Sequence, residues 1–521
     1  MLSDTEKLQR SPRDLARWQK AQQQTLNNQP GAALVSYRDL TKRFPEAPQL
    51  WFEMGIAAAG NLEFAEADQA FRRAGELAPG DVNLLVLLGQ QYHRLRRLDQ
   101  ARACFERAAA ADPNSIHARL SLASWWERER RLDDASECVD ACLAAHPQSA
   151  QTLCVRALVL HRKGRNADAE RLLRDLVKSG PADPNVKYSS RQLLGVVLDE
   201  LGQHAEALRW LGEAKAQMRL MANIARMEKE YDEADRRRRD LLAALTPETI
   251  KRWREAEPAA SARPQLALLG GHPRSGTTLL EQILGAHSGI RALDEPEAFV
   301  QEIWNRLAPM PPAPALKLAA LENLSAARRT ELRGRYFKSL SREFNEPLAA
   351  QVLLDKNPSL TGALHLGLRL FPELKVIIAL RDPRDVVISC FFQNLMLTPT
   401  NANFLSLERT ATHYANLMDV WLRLRELGGF DWIETRYEDV VANLESEGRR
   451  ATQFLGLSWH PNQARHRETA SKKFLFAPTF SDVAKPVYST AVGRWKNYAE
   501  ALAPIQERLA PYCRAFGYAV E

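Results

Sequence analysis

The strongest constraint on how this chain can fold is a repeat of 34 residues in its first half. Prolines recur at Pro45, Pro79, Pro113, Pro147 and Pro181, small residues at Gly55, Gly89, Ala123 and Ala157, and alanines at Ala33, Ala67, Ala101, Ala135 and Ala169, every step being 34 residues. Three registers that agree specify one supersecondary unit stacked on copies of itself. A helix pair meets all three: the small residue lies where the two helices cross closely, and proline closes the second helix because it has no N–H to continue it. The next unit slips by four residues, to Gly195 and Ala207, and the inserted Gly180-Pro181-Ala182-Asp183-Pro184 accounts for the slip.

Composition narrows the remainder. Apolar residues are 45% and charged residues 26% of the 521, close to globular averages, which excludes wholesale disorder and low complexity. The chain has no apolar run near the roughly 20 residues of a membrane helix, so no membrane span is expected. Met1-Leu2-Ser3-Asp4-Thr5-Glu6 lacks the basic start and apolar core of a signal peptide, so a cytoplasmic location is expected. The six cysteines contain no C-x-x-C, and no His/Cys/carboxylate cluster suggests a metal. Cys138 and Cys142, one helical turn apart, read as small core residues. The net charge of +7 is too mild to argue for nucleic acid and leaves room for an anionic ligand.

The repeats resemble tetratricopeptide repeats, best in Leu84-Leu85-x-x-Leu88-Gly89-x-x-Tyr92 followed by Ala101 and Pro113. That resemblance implies an all-α superhelix over about residues 10–220 whose concave groove takes a protein or peptide; a spacer or dimerising arm is the alternative. Residues 221–263 read as a charged capping or connecting helix and a linker; Arg236–Arg239 read as a solvated helix face rather than an anion patch.

The chemistry begins after residue 264. Leu266-Ala-Leu-Leu-Gly270 predicts a buried parallel strand, and Leu279-Leu280-x-x-Ile283-Leu284 predicts a helix. Between them lies Gly271-His272-Pro273-Arg274-Ser275-Gly276-Thr277-Thr278. A strand, a glycine loop and a helix start aim free backbone N–H groups and the helix dipole at one point, an anion site. The spacing Gly271-x4-Gly276 mimics a nucleotide-triphosphatase loop, but Thr277 replaces the lysine and the cation moves to Arg274, which disfavours a kinase.

Pro273–Leu280 resembles the 5′-phosphosulfate loop of sulfotransferases that use 3′-phosphoadenosine 5′-phosphosulfate (PAPS). The family's 3′-phosphate signature is matched by the strand Leu374–Leu380 and Arg381-Asp382-Pro383-Arg384, with Ser389 eight residues after Arg381. Pro383 suits the first turn of a helix, which would aim Arg381 and Ser389 at one phosphate. Further matches resemble the protein-tyrosine sulfotransferase branch: Leu293-Asp294-Glu295 at its catalytic glutamate, Asp355-Lys356-Asn357-Pro358 at its lysine, and Arg436-Tyr437-Glu438 at its nucleotide-contacting tyrosine. The stretch Ser481 through Lys485-Pro486-Val487 to Arg494-Trp495 matches its closing segment. Two positions depart from that branch: Gln393 replaces a second phosphate arginine, and Pro296-Glu297-Ala298-Phe299 replaces a segment whose arginine helps hold the acceptor.

The resemblance implies a P-loop-like α/β domain with a parallel sheet over residues 264–521, behind the repeats. Its expected donor site is Arg274, Ser275, Gly276, Thr277, Thr278, Arg381, Ser389, Tyr437, Ser481 and Arg494, with no metal required. Glu295 is the candidate base, with Glu297 next and His272 third; Arg274 and Lys356 are the candidate charge stabilisers. The expected reaction is sulfuryl transfer from PAPS to a hydroxyl, first a tyrosine of a protein or peptide recruited by the repeats. A small-molecule or glycan acceptor is the second reading, and a repeat adaptor with a non-catalytic nucleotide sensor is the reading from another class. The sequence leaves the acceptor, the groove partner and the oligomeric state open.

Overall fold

The computed structural model describes residues 3–27, 29–255, 264–308, 314–344, 348, 350–394, 396–470 and 491–520. The chain packs as two compact units, one of Met1–Arg165 with Arg342–Asn345 and one of Asn166–Ser341 with Glu346–Glu521. Packing and the repeat period therefore do not divide the chain at the same place. The helices Asn166–Lys178, Pro184–Glu200 and His204–Met221 belong to the same unit as the sheet.

The helix pairs explain the period. A Cβ on Gly55 would lie 2.4 Å from the Phe71 ring, one on Gly89 2.6 Å from Phe105, and one on Gly195 2.6 Å from Leu211. Each crossing thus admits a large apolar side chain only because its partner position is small. The turn inside each pair carries a second periodic feature. Leu62, Arg96, Arg130 and Gly164, again 34 apart, all have positive φ, and Gly202 takes the place after the slip. Arginine and leucine tolerate this conformation there at a cost of about 1–2 kcal/mol each.

In the second unit, β1 (Gln265–Gly271), β2 (Ile290–Asp294), β3 (Val352–Lys356), β4 (Lys375–Leu380) and β5 (Asp431–Arg436) form one parallel sheet in the order β2-β3-β1-β4-β5. Their inner residues Ala267, Leu269, Leu354 and Ile377 share one apolar core with Leu280 and Leu284 of the helix Thr277–Gly285, as a sheet covered by helices requires. After β1 the chain fills one side of the sheet, then returns to pair β4 on the other side. The carboxyl end of β1 is therefore a topological switch point, where open α/β sheets form a crevice. No helix among the described residues is long and apolar enough to cross a membrane.

The charged helix Ile224–Ala243 corrects the reading of Arg236–Arg239 as a uniform wet face. Arg236 and Arg237 pair with Glu233, while Arg238 and Arg239 pair with Asp235, which is buried. The i,i+3 and i,i+4 spacing pairs the four arginines with two carboxylates of their own helix, and Arg238 turns inward.

Candidate functional site

Five strand ends converge. Arg274 follows β1 by three residues, Glu295 follows β2 directly, Lys356 ends β3, Arg381 follows β4 and Tyr437 follows β5. The parallel register places them: Leu269 is opposite Lys356 and Asp294 is opposite Lys356 in neighbouring strands, and Leu380 is opposite Arg436.

The glycine loop is fixed at both ends. The Thr361 hydroxyl accepts from the Gly271 N–H at 2.7 Å and donates to its carbonyl at 2.9 Å. A Cβ on Gly271 would lie 2.3 Å from the Ala379 carbonyl oxygen. Gly276 has φ 87° and N-caps the helix Thr277–Gly285 with no side-chain cap, so the helix's first N–H groups are not taken up by a capping side chain. A Cβ on Gly276 would meet the Tyr437 ring at 2.5 Å, so the loop and Tyr437 touch only because this residue is glycine. Ser275, Thr277 and Thr278 are buried in the same loop.

The two phosphate motifs meet although 107 residues separate Arg274 from Arg381. Arg274 donates from Nε to Ser389 Oγ at 3.0 Å, and Arg381 donates from Nη1 to the Arg274 carbonyl at 3.2 Å. The Arg381 guanidinium lies 5.0 Å from the Tyr437 ring centroid. Pro383 does occupy the first turn of the helix Pro383–Phe391, with Asp382 as its N-cap. Asp385, on that helix, accepts from the Gly493 N–H at 2.8 Å and the Trp495 N–H at 2.7 Å and lies 3.8 Å from Arg381. Burial pushes its carboxyl up, against the pull of Arg381 and these amides.

The candidate base and lysine also meet. Lys356 is fully buried, with Nζ 2.5 Å from Asp294 Oδ1 and 3.0 Å from Glu295 Oε1. Burial works against the ammonium, but Glu295, Asp294 and Glu281 outweigh it and hold its pKa above the ordinary lysine value. The two carboxylates differ in exposure, 12% for Asp294 and 43% for Glu295. Glu295 also has φ 48° and Arg274 φ 76°, so two candidate site residues carry left-handed backbone outside glycine. Each such conformation costs about 1–3 kcal/mol and persists where the surroundings fix it; here the Glu295 N–H donates to the Lys356 carbonyl at 2.8 Å.

Three expectations change. His272 is fully buried against Phe404, His413 and Tyr414, and burial pushes its imidazole down to about 4, so it is withdrawn as a base. Glu297 lies just before the helical turn Val300–Trp304 and accepts from Gln301 there at 2.5 Å, whereas Glu295 meets Lys356, which favours Glu295 of the two. Arg494 pairs with Asp199 at 2.5 Å and lies 4.2 Å from the Phe392 ring, a partner outside the predicted set. Ser481 lies outside the described residues. Gln393, in place of an arginine, donates to the Ser389 carbonyl at 3.2 Å, and its own carbonyl accepts from Lys215 at 2.7 Å. Lys215 and Gln192, which donates to the Phe392 carbonyl at 2.7 Å, thus close the end of the Ser389 helix from the repeat helices.

Asp294, Asp385 and Thr361 were not singled out by the sequence. Asp294 had a signal, since it precedes the candidate base at a strand end. Asp385 and Thr361 had none, because the amides of Gly493 and Trp495 that Asp385 holds and the Gly271 backbone that Thr361 holds are distant in sequence.

Comparison with known proteins finds family matches in both halves of the chain. The sulfotransferase family profile matches residues 267–461, and tetratricopeptide-repeat profiles match residues 27–82, 82–115 and 126–184. Protein-tyrosine sulfotransferase A of Caenorhabditis elegans is 24% identical over 270 residues, 48% of this chain and 66% of that protein. Nodulation protein NoeE of Sinorhizobium fredii is 27% identical over 258 residues, 46% of this chain and 61% of that protein. An uncharacterized Aquifex aeolicus protein is 26% identical over 350 residues, 65% of this chain and 43% of that protein. The matches thus span less than two thirds of each of these three relatives. Among solved structures, the sulfotransferase domain of the Synechococcus olefin synthase aligns with 20% identity over 46% of this chain and 90% of that one, at a TM-score of 0.31. The repeat protein YrrB aligns with 18% identity over 36% and 98%, at a TM-score of 0.27. Residues 267–461 are a domain of the sulfotransferase family, set behind tetratricopeptide repeats.

Proposed function

We propose that this protein moves a sulfuryl group from PAPS to an acceptor hydroxyl, and that the acceptor is a tyrosine of a protein or peptide engaged by the repeats. The observation that carries the reading is the meeting of Arg274, Ser389 and Arg381 beside an uncapped helix start. The residues suit a nucleotide with phosphate at two positions. The helix start at Gly276, with no side-chain cap, leaves backbone donors for the 5′-phosphosulfate, and Arg381 with Ser389 supplies donors for the 3′-phosphate. Tyr437 lines the loop, and Ser481 and Arg494 are proposed to complete the donor site.

When bound, PAPS supplies the activated sulfuryl group and a phosphate leaving group. The work of the chain is positioning and electrostatics. Arg274 and the loop amides hold anionic oxygens and stabilise charge on the departing phosphate. Lys356 stays protonated at neutral pH and presents a desolvated positive charge between strand ends. Glu295 Oε1, held at 3.0 Å by Lys356, is the acceptor for the hydroxyl proton.

Incubation with ³⁵S-labelled PAPS and a cell lysate tests the acceptor. Label recovered as tyrosine O-sulfate in protein supports this reading. Label confined to glycans or small molecules would replace the acceptor and keep the reaction.

A further inference from the structure

The repeat helices reach into the donor site through one carboxylate. Asp199, next to the last residue of the helix Pro184–Glu200, is 14% exposed and holds Arg494 Nη2 at 2.5 Å through Oδ2. Its other oxygen accepts from the Tyr498 hydroxyl and lies 3.3 Å from His204 Nδ1. Tyr498 is buried, with its ring 5.6 Å from that of Phe392. Both oxygens of one side chain are therefore spent on two positions of the same short segment.

The opposite edge of that segment lies on the phosphate motif. The Ala491 carbonyl accepts from Arg381 Nη2, the Gly493 and Trp495 amides sit on Asp385, and the Trp495 ring is 3.6 Å from the Arg384 guanidinium. The segment is a strap with two fastenings. One is Asp385, on the Ser389 helix itself; the other is Asp199, in the repeats. Releasing Asp199 leaves Arg494 and Tyr498 without their shared acceptor, and the carbonyl that orients Arg381 is carried on the same strap.

We propose that Asp199 is a positioning residue of the donor site: it fastens Arg494 and Tyr498, and so keeps the segment Ala491–Tyr498 against Arg381, for binding of a 3′-phosphorylated adenine nucleotide. The proposal rests on the donor reading above. It gives the last repeat a part in nucleotide binding, separate from any role in recruiting an acceptor.

Calorimetric titration of the full chain with 3′-phosphoadenosine 5′-phosphate tests it. Asp199→Asn and Asp199→Ala are expected to weaken binding about 10- to 100-fold, the scale of losing charge-assisted hydrogen bonds. The KM for donor should rise with little change in the KM for acceptor, and Asp199→Glu should recover part of the affinity. In a cycle with Arg494→Ala, the two losses should be less than additive, because Asp199 acts in part through Arg494. Tyr498→Phe, which removes only a hydroxyl, gives a smaller loss in the same direction and serves if Asp199→Ala does not fold. Unchanged affinity in Asp199→Asn and Tyr498→Phe, or additive losses for Asp199 and Arg494, would overturn the proposal while leaving the donor reading intact. A wild-type chain that does not bind the nucleotide would overturn both.

Discussion

Asp294 and Glu295 share one buried lysine, and their unequal exposure predicts a clean division between stability and turnover. Lys356 has no exposure, and Asp294, at 12%, lies 2.5 Å away. Removing one partner of a buried pair costs about 3–5 kcal/mol; because Glu295 remains beside Lys356, Asp294→Asn is expected at the lower end, about 3 kcal/mol. Glu295 is 43% exposed, so its pair with Lys356 is screened by solvent and Glu295→Gln should cost about 0–1 kcal/mol. In turnover the order reverses. Glu295→Gln should lower kcat by about 10²–10⁴-fold, the usual weight of a positioned base. Thermal melts and rates with labelled PAPS, both taken below the melting range of the weaker variant, read the two quantities separately. Near-normal kcat in Glu295→Gln would remove it as the base. Glu295→Gln melting well below Asp294→Asn would refute the division itself.

Other outcomes follow from single contacts. Gly276→Ala forces φ 87° on a residue with a Cβ and drives that Cβ to 2.5 Å from Tyr437; the donor KM should rise about tenfold or more, whereas Gly80→Ala, which meets nothing within 4 Å, should leave both KM and the melt unchanged. Burial lowers the Lys215 pKa to about 8. The folded state then loses that proton near pH 8 and the unfolded chain near 10.4, so the unfolded state binds more protons between these values and stability rises with pH there. Lys215→Met should abolish that part of the rise in melting temperature between pH 8 and 10. A chain beginning at Asn166 should fold and bind 3′-phosphoadenosine 5′-phosphate, whereas one beginning at Ala222 lacks Gln192, Asp199 and Lys215 and should aggregate or bind weakly; equal solubility and affinity of the two would show that the repeat helices are dispensable to the site.

The repeats and the two phosphate motifs were legible because their signals are local. A period of 34, a strand followed by glycines, and Pro383 at a helix start each depend on neighbours a few residues away. The α/β fold with its parallel sheet was implied by the family resemblance that those motifs carry. What was not legible depends on partners far along the chain. Nothing around Asp199 marks it as the acceptor for Arg494, and Thr361 looks like any threonine until β1 is laid beside its turn. His272 misled for a related reason: it stands in the loop, but its side chain turns back into the core. Arg236–Arg239 misled because a one-dimensional charge run hides the buried Asp235, one turn before Arg238 and Arg239.

The central claim is sulfuryl transfer at the site of Arg274, Ser389 and Arg381, and a paired transfer assay tests it most directly. The purified chain is given ³⁵S-labelled PAPS or γ-labelled ATP with magnesium, each with the same tyrosine-containing acceptor, in wild-type and Arg274→Ala forms. Sulfate should move to the acceptor hydroxyl in the wild type, fall by about 10²-fold or more in Arg274→Ala, and no phosphate should move from ATP. Phosphate transfer, or sulfate transfer that Arg274→Ala leaves unchanged, would contradict the account.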